Sequence, residues 1–308
     1  MYFEKKKKEM GKRLKAISFA FIALCALCWG PSYLFIKIAL PEIPPMTITL
    51  VRTAIAAVLL YALCLSQKLE FFRWIGQWKQ FFVLGFLLNG LPSVFIAYGE
   101  KYISSSLAGI LNSFTLIFTA ILSHYFGRQE PLTKRKSLGI LSGVAGLAVI
   151  NLPLILKEGL HIGFGALLVI LACACYGVGT LYARTHLQRS VPINVLLTGQ
   201  CLATVILLLP FSFAIEHPYA LAFPSLTGIA SVIALGVIGT AGGYFFYYKA
   251  IDVAGATYAS LSVLLVPIIA IVLGAAILKE HIGWNLYLGT ALILIGVVAV
   301  NPAFQSKS

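Results

Sequence analysis

The sequence predicts an all-α polytopic membrane protein whose ten transmembrane helices form two inverted five-helix repeats. Three observations predict this. Hydrophobic residues make up 60% of the 308 residues and charged residues 11%, with a mean hydropathy of +0.94. An ordinary soluble domain carries about a quarter charged residues. The apolar residues fall into continuous runs of roughly 17–25, the length that crosses about 30 Å of hydrocarbon, and do not alternate as barrel strands do. Finally, Tyr98, Glu130, Gly139, Gly146 and Asn151 recur, each 150 positions later, as Tyr248, Glu280, Gly289, Gly296 and Asn301. A fixed offset without gaps reads as a duplicated helical unit.

The spans are expected at 14–37, 46–66, 79–98, 103–125, 136–155, 162–184, 192–213, 222–247, 255–277 and 284–301. Residues 1–13 form a basic cytoplasmic N-terminus, 14–155 the first repeat, 156–301 the second and 302–308 a cytoplasmic tail. Lys5–Lys8, Lys12, Arg13 and Lys15 resemble the start of a signal peptide. The run behind them is too long for a signal and lacks a small-x-small cleavage site, so it is read as a retained first span. In the 67–78 loop, Phe71, Phe72, Trp74 and Trp78 are expected at the lipid headgroups. Gly139, Gly143 and Gly146 make a groove for close helix approach, as do Gly236, Gly239, Gly242 and Gly243. Pro31 after Gly30, Pro92 and Pro267 are expected to interrupt their helices and supply bends.

Charge placement sets orientation. Of the 23 Lys and Arg, only Lys37, Lys101, Lys157 and Lys279 fall at the ends opposite the termini, and Arg52 alone lies within a span. This bias puts both termini in the cytoplasm of a bacterial-type inner membrane. Five spans per half is an odd number, so the second half must lie inverted. Its start repeats the first: Cys28-Trp29-Gly30 is echoed by Cys175-Tyr176-Gly177, and Pro45 by Pro192, both 147 positions on.

The formal charge of +13 sits between spans without interleaved exposed aromatics, which argues against nucleic acid as a partner. All six cysteines lie in spans. Cys25 and Cys28 have no second CxxC and no neighbouring His, so they are read as packing residues and no metal is implied. No acid lies mid-span. That absence argues against a carboxylate-driven pump and against membrane enzymes built on paired acids. No GxSxG, HExxH or phosphate-gripping glycine loop appears, so no catalytic residue and no cofactor is expected. His124 and His281 are read as interfacial.

The chain resembles the drug/metabolite transporter superfamily, specifically its EamA-type branch of two five-helix repeats. Trp29-Gly30, the Lys37, Pro45, Arg52 series, and Glu130 with Gly139 and Glu280 with Gly289 carry the resemblance, over residues 15–301. It implies transport of metabolites such as amino acids, nucleosides or drugs, without enzymatic chemistry. It also implies a central cavity lined by spans 1, 3, 4, 6, 8 and 9, which leaves out Gln200 on span 7.

Polar and aromatic residues within spans are the candidate substrate contacts, because lipid cannot satisfy their hydrogen bonds. These are Trp29, Tyr33, Asn89, Tyr98, Asn112, Tyr176, Thr180, Tyr244, Tyr248, Tyr258 and Ser262. Trp29 and Tyr176 occupy equivalent repeat positions and are expected on opposite faces of a flat substrate. Arg52 and Lys37 are candidate anion contacts; the structural alternative for Arg52 is a partner such as Glu42. The expected function is alternating-access transport of an amino-acid-like or heterocyclic solute, with a broad drug exporter or a lipid-modifying enzyme as alternatives. The expected partners are a small-molecule substrate and the bilayer, with a functional monomer and an oligomer as the alternative.

Overall fold

The computed structural model describes residues 2–125, 133–158, 160–186, 191–254, 262–281 and 283–300. Among these every regular element is helical. In chain order they are α1 (Tyr2–Ala39), α2 (Pro45–Ser66), α3 (Trp78–Gly85), α4 (Leu91–Gly99), α5 (Ser105–Leu111), α6 (Phe114–Tyr125), α7 (Lys134–Glu158) and α8 (Leu160–His186). Then come α9 (Ile193–Phe211), α10 (Leu226–Ala234), α11 (Gly243–Ala254), α12 (Ser262–Ile277) and α13 (Trp284–Val300). Six stretches are long and apolar enough to cross a membrane: Phe19–Ala39, Pro45–Ser66, Phe71–Gly99, Gly163–Ala183, Ile193–Glu216 and Leu226–Ala250. The chain is a multi-pass membrane protein.

Helix starts follow local chemistry. Pro45 opens α2, where its missing N–H costs nothing. The Ser104 and Ser225 hydroxyls accept the Leu107 and Gly228 N–H groups, each at 3.2 Å, and so cap α5 and α10. Two long rods change hydrogen-bond register midway. A π turn at Phe86–Gly90 joins α3 to α4, and another at Leu235–Gly242 joins α10 to α11. Each leaves backbone or side-chain groups turned out of the usual ladder.

Helices mostly pack on partners distant in sequence. α1 lies against α10, α11 and α12; α2 against α9; α4 and α6 against α8; and α7 against α13. The α7–α13 seam is glycine-lined. A Cβ at Gly146 would meet the Gly289 carbonyl oxygen at 2.6 Å, and one at Gly296 would meet that of Gly139. The Ser142 hydroxyl donates to the Leu292 carbonyl at 2.8 Å across the same seam. Backbones this close gain dispersion and leave no room for larger side chains. The main core gathers Ile36, Ile48, Leu111, Val169 and Leu235 from helices of both halves.

Several expected boundaries change. α1 extends back to Tyr2, into the segment expected as a separate N-terminal stretch. The third span begins at Phe71 rather than 79, because a 3-10 turn at Phe71–Gln77 carries it forward. Phe71 is buried, stacked on Phe81 with centroids 6.2 Å apart, so it is core and not headgroup anchor. Phe72 and Trp78 are exposed. Span 4 is broken at Asn112–Ser113 into α5 and α6. Conversely, α1 runs through Pro31 and α12 through Pro267 without interruption, and the break near Pro92 belongs to the π turn before it. Glu130 and most of the 126–135 loop lie outside the described residues, as do Tyr258 and Asn301.

Candidate functional site

Arg52 lies seven residues into α2, about 10 Å from the helix start at 1.5 Å per residue. Its side chain is 9% exposed. Nε donates to the Thr240 hydroxyl oxygen at 3.0 Å, and that hydroxyl donates its own proton to the Leu235 carbonyl, also at 3.0 Å. Thr240 and Leu235 are five residues apart, the spacing of the π turn that holds them. The turn thus presents a hydroxyl with a spare lone pair to the guanidinium. Tyr33, Tyr176, Tyr244 and Cys201 stand close enough to interact with Arg52 electrostatically. Glu42, the partner envisaged for it, binds Ser225 instead. Among the described residues Arg52 forms no ion pair, and a buried guanidinium without a carboxylate is suited to an anionic group arriving from outside the chain.

Aromatic rings gather around this centre. Trp29 packs on Tyr244, edge-on at 6.0 Å, and on Tyr247 at 5.2 Å, with Gly243 allowing the approach. Tyr176 instead stands by Arg52, with the Ser93 side chain at its hydroxyl. Both rings stand near Tyr244, Trp29 by ring contact and Tyr176 within electrostatic range. Tyr244 donates to the Leu88 carbonyl at 2.9 Å, in the other π turn. Tyr33 is buried in the main core, and Thr180 is half-buried on α8.

Asn89, buried in the Phe86–Gly90 π turn, adjoins this centre, its amide reaching the Cys201 sulfur at 3.8 Å. Other candidates have separate surroundings. Ser262 is fully buried beside Cys25. Asn112 sits at the α5–α6 break with a buried side-chain oxygen that has no hydrogen-bond partner. Tyr248 lines a recess of about 110 Å³ with Ile193, Asn194, Phe245 and Lys249. Lys37 is tied within the chain: its ammonium donates to the Glu100 carbonyl at 2.5 Å and the Ile103 carbonyl at 2.8 Å, joining α1 to the α4–α5 link. Tyr98 donates to Glu216 at 3.1 Å, at the end of its span. A second recess, of about 360 Å³ between Arg135 and Leu294, lies on the outside of α13, and neither recess is lined by Arg52.

The acids at the span ends form a layer at one end of the bundle. Glu216 Oε1 accepts the Met46 N–H at 2.8 Å, while Oε2 accepts the Thr47 N–H at 2.7 Å and the Thr47 hydroxyl at 2.8 Å. Glu280 accepts the Ser105 N–H and hydroxyl, both at 2.8 Å, the Ser106 N–H at 3.1 Å, and the Ser106 hydroxyl. Glu42 accepts the Ser225 N–H at 2.5 Å and hydroxyl at 2.7 Å. Each carboxylate satisfies the orphan N–H groups, and the positive dipole end, of a helix from the other half of the chain. At the opposite end of α2 and α9 the tie is neutral: Asn194 donates to Gln67 at 2.7 Å.

The family model for the EamA-like transporter family matches twice, over residues 16–152 and 163–301. The chain belongs to the EamA-like transporter family. An uncharacterized transporter of Archaeoglobus fulgidus is 28% identical, with 91% of this chain and 96% of that one aligned. The uncharacterized transporter YoaV of Bacillus subtilis is 24% identical over 91% and 95%. The uncharacterized inner membrane transporter YedA of Escherichia coli is 27% identical over 91% and 90%. A solved crystal structure superposes with a TM-score of 0.66 at 20% identity, covering 96% of this chain and 99% of that one, a likeness of fold alone. In this EamA-family chain the glutamate layer, Thr240 and the π turns are not evident from the sequence pattern. A usable signal does exist: Glu42, Glu216 and Glu280 all fall at span ends on one side, each opposite a span beginning with Ser, Thr or Pro.

Proposed function

We propose that this chain is an alternating-access carrier of small organic metabolites, amino-acid-like or heterocyclic, that crosses the inner membrane ten times as two inverted repeats, 14–155 and 156–301. Family membership supports transport. The buried Arg52, without an ion pair among the described residues and set among Tyr33, Tyr176 and Tyr244 at the seam between the halves, is the observation that carries the cargo assignment. A guanidinium recognises carboxylate or phosphate by a fork that ammonium cannot reproduce, and aromatic walls favour flat or amphipathic bodies. The cargo leaves chemically unchanged, and the monomer, in its bilayer, is the working unit.

The inverted arrangement is supported by the α7–α13 seam. Gly139 faces Gly296 and Gly146 faces Gly289, while Gly139 pairs with Gly289 and Gly146 with Gly296 in the sequence echo. Exchange of contacts between repeat-equivalent positions is what a two-fold axis between the halves produces. Four shorter apolar helices, Ser105–Thr119, Ser137–Ile150, Leu265–Ile277 and Trp284–Gly296, supply the spans beyond the six long ones. Both termini and the 126–135 loop are cytoplasmic in this arrangement, and the glutamate layer faces outward. The structure then corresponds to a carrier closed on its outer side. An impermeant thiol reagent applied from outside should label a cysteine placed at Glu216 and not one at Lys134; the reverse pattern refutes the orientation.

Transport itself is tested in proteoliposomes preloaded with labelled amino acids and nucleobases. Counterflow of an intact solute is the expected result. A chemically altered product would mark an enzyme, uptake of unrelated drugs a broad exporter, and no flux of any solute would defeat the carrier.

A further inference from the structure

We propose that Glu100 is a proton-carrying group that couples transport to the proton gradient, a step that rests on the carrier function above. Glu100 follows the Phe71–Gly99 span, a position that by sequence alone suggests a wet span-end residue. Its side chain is 0% exposed, and neither carboxyl oxygen has a hydrogen-bond partner. The other glutamates nearby are held by donors; this one is not. An ionised carboxylate in that position would be buried without a single donor, which is strongly unfavourable. The neutral acid costs far less.

The surroundings explain why the donors are missing. From α1, Lys37 approaches, but its ammonium is committed to the Glu100 and Ile103 carbonyls. On the outer side stands Glu280, bound to Ser105 and Ser106. On the inner side are Arg52 of α2 and Tyr33 of α1, within electrostatic range. Tyr176 and Cys173 of α8 stand beside Tyr33, and α8 meets Gly99 itself through Gly165 and Val169. Burial pushes the carboxyl well above the ordinary carboxylate range, with Lys37 opposing and Glu280 adding to the shift. Glu100 therefore lies between the glutamate layer and the Arg52 centre.

The consequence is a linkage between closure and protonation. When the outer layer parts, water reaches Glu100 and it ionises, with Lys37 as counter-ion. Closing that face requires the carboxylate to take up a proton from outside water. The carboxylic acid so formed loses the proton to water entering the Arg52 centre from the cytoplasmic side. The emptied carrier returns outward with the carboxylate ionised, hydrated by the water that replaced the solute and facing Lys37, so each cycle carries one proton inward with no other bond change and a gradient acid outside drives it.

The test uses full-length protein in proteoliposomes with labelled amino acids and nucleobases as probes. Wild type should accumulate its solute under an imposed pH gradient, and its counterflow should vary with pH. In E100Q the accumulation ratio should fall to unity while counterflow persists and loses its pH dependence. Wild-type counterflow without gradient-driven accumulation, or undiminished accumulation by E100Q, overturns proton carriage and leaves the carrier function standing. Absence of wild-type counterflow defeats the carrier function and the coupling with it. Independently, infrared spectra of purified protein at neutral pH should contain a protonated-carboxyl stretch that E100Q removes, and that shifts in E100D should E100Q fail to insert. No such band overturns the assignment.

Discussion

Glu216→Gln should loosen the outer face by an amount the geometry sets. The amide keeps one acceptor oxygen, which can still serve Met46 and Tyr98. Its NH2 cannot accept from the Thr47 N–H and hydroxyl now at 2.7 and 2.8 Å. Bonds to a charged acceptor contribute about 1.5–3 kcal/mol each. Glu216 is half-exposed, so water recovers part of this, and the net loss is placed at about 2 kcal/mol. Because the contact exists only with this face closed, the loss shifts closed to open by roughly thirtyfold, at 1.36 kcal/mol per tenfold. Thr49 is 1% exposed, one turn inside the layer, and its hydroxyl bonds only within α2, to the Pro45 carbonyl. A Thr49→Cys reporter, treated with an impermeant thiol reagent and corrected for the native cysteines, should therefore react roughly thirtyfold faster when Gln replaces Glu216. An unchanged rate in a monodisperse protein would refute the idea that these carboxylates hold the face shut.

Arg52→Lys should weaken solute binding by about tenfold or more with normal insertion, since it removes the Nε bond to Thr240 and the planar fork; parallel loss of abundance and transport would make Arg52 structural. Gly146→Ala places a methyl 2.6 Å from a backbone carbonyl and should destabilise by about 1–3 kcal/mol in thermal unfolding, whereas Gly76→Ala meets nothing within 4 Å and should be neutral. Glu100 carries its proton in the folded state above the ordinary value of 4.5, where the unfolded chain has released it. Folded protein then binds more protons than unfolded, so wild-type thermal stability should fall as pH rises past 4.5, and E100Q should flatten that slope.

Features written in composition are legible in the amino-acid sequence itself. Apolar run length identifies the membrane helices, and Gly139, Gly146, Gly289 and Gly296 mark a close seam, because only small residues permit it. Arg52 stands out because it is the one cation within a span, although its role there is not written in the sequence. What the sequence conceals depends on chain folding beyond the helix. Glu100 looks wet by its position at a helix end, yet the Lys37 tie and the Glu280 cap cover it. Thr240 has no signal at all, since its access to Arg52 comes from a π turn, and a run such as Leu235–Gly242 has the same apolar composition as an ordinary helix. The different settings of Trp29 and Tyr176 are concealed for a related reason. Repeat equivalence matches backbone positions, but the neighbours differ: Tyr244 and Tyr247 face Trp29, whereas Ser93 meets Tyr176.

The pairing of α7 with α13 has a consequence for synthesis. α7 leaves the ribosome well before its glycine-matched partner α13, with α8 to α12 made in between. Until then the Gly139–Gly146 stripe faces lipid, which offers no close backbone, and α2, α4 and α6 likewise wait for α8 and α9. A chain stopped before Trp284 would present intact hydrophobic helices to the insertion machinery and still lack the contact that closes the bundle. Quality control would meet an inserted but unfinished molecule, recognisable by a groove of exposed carbonyls and not by any unfolded loop.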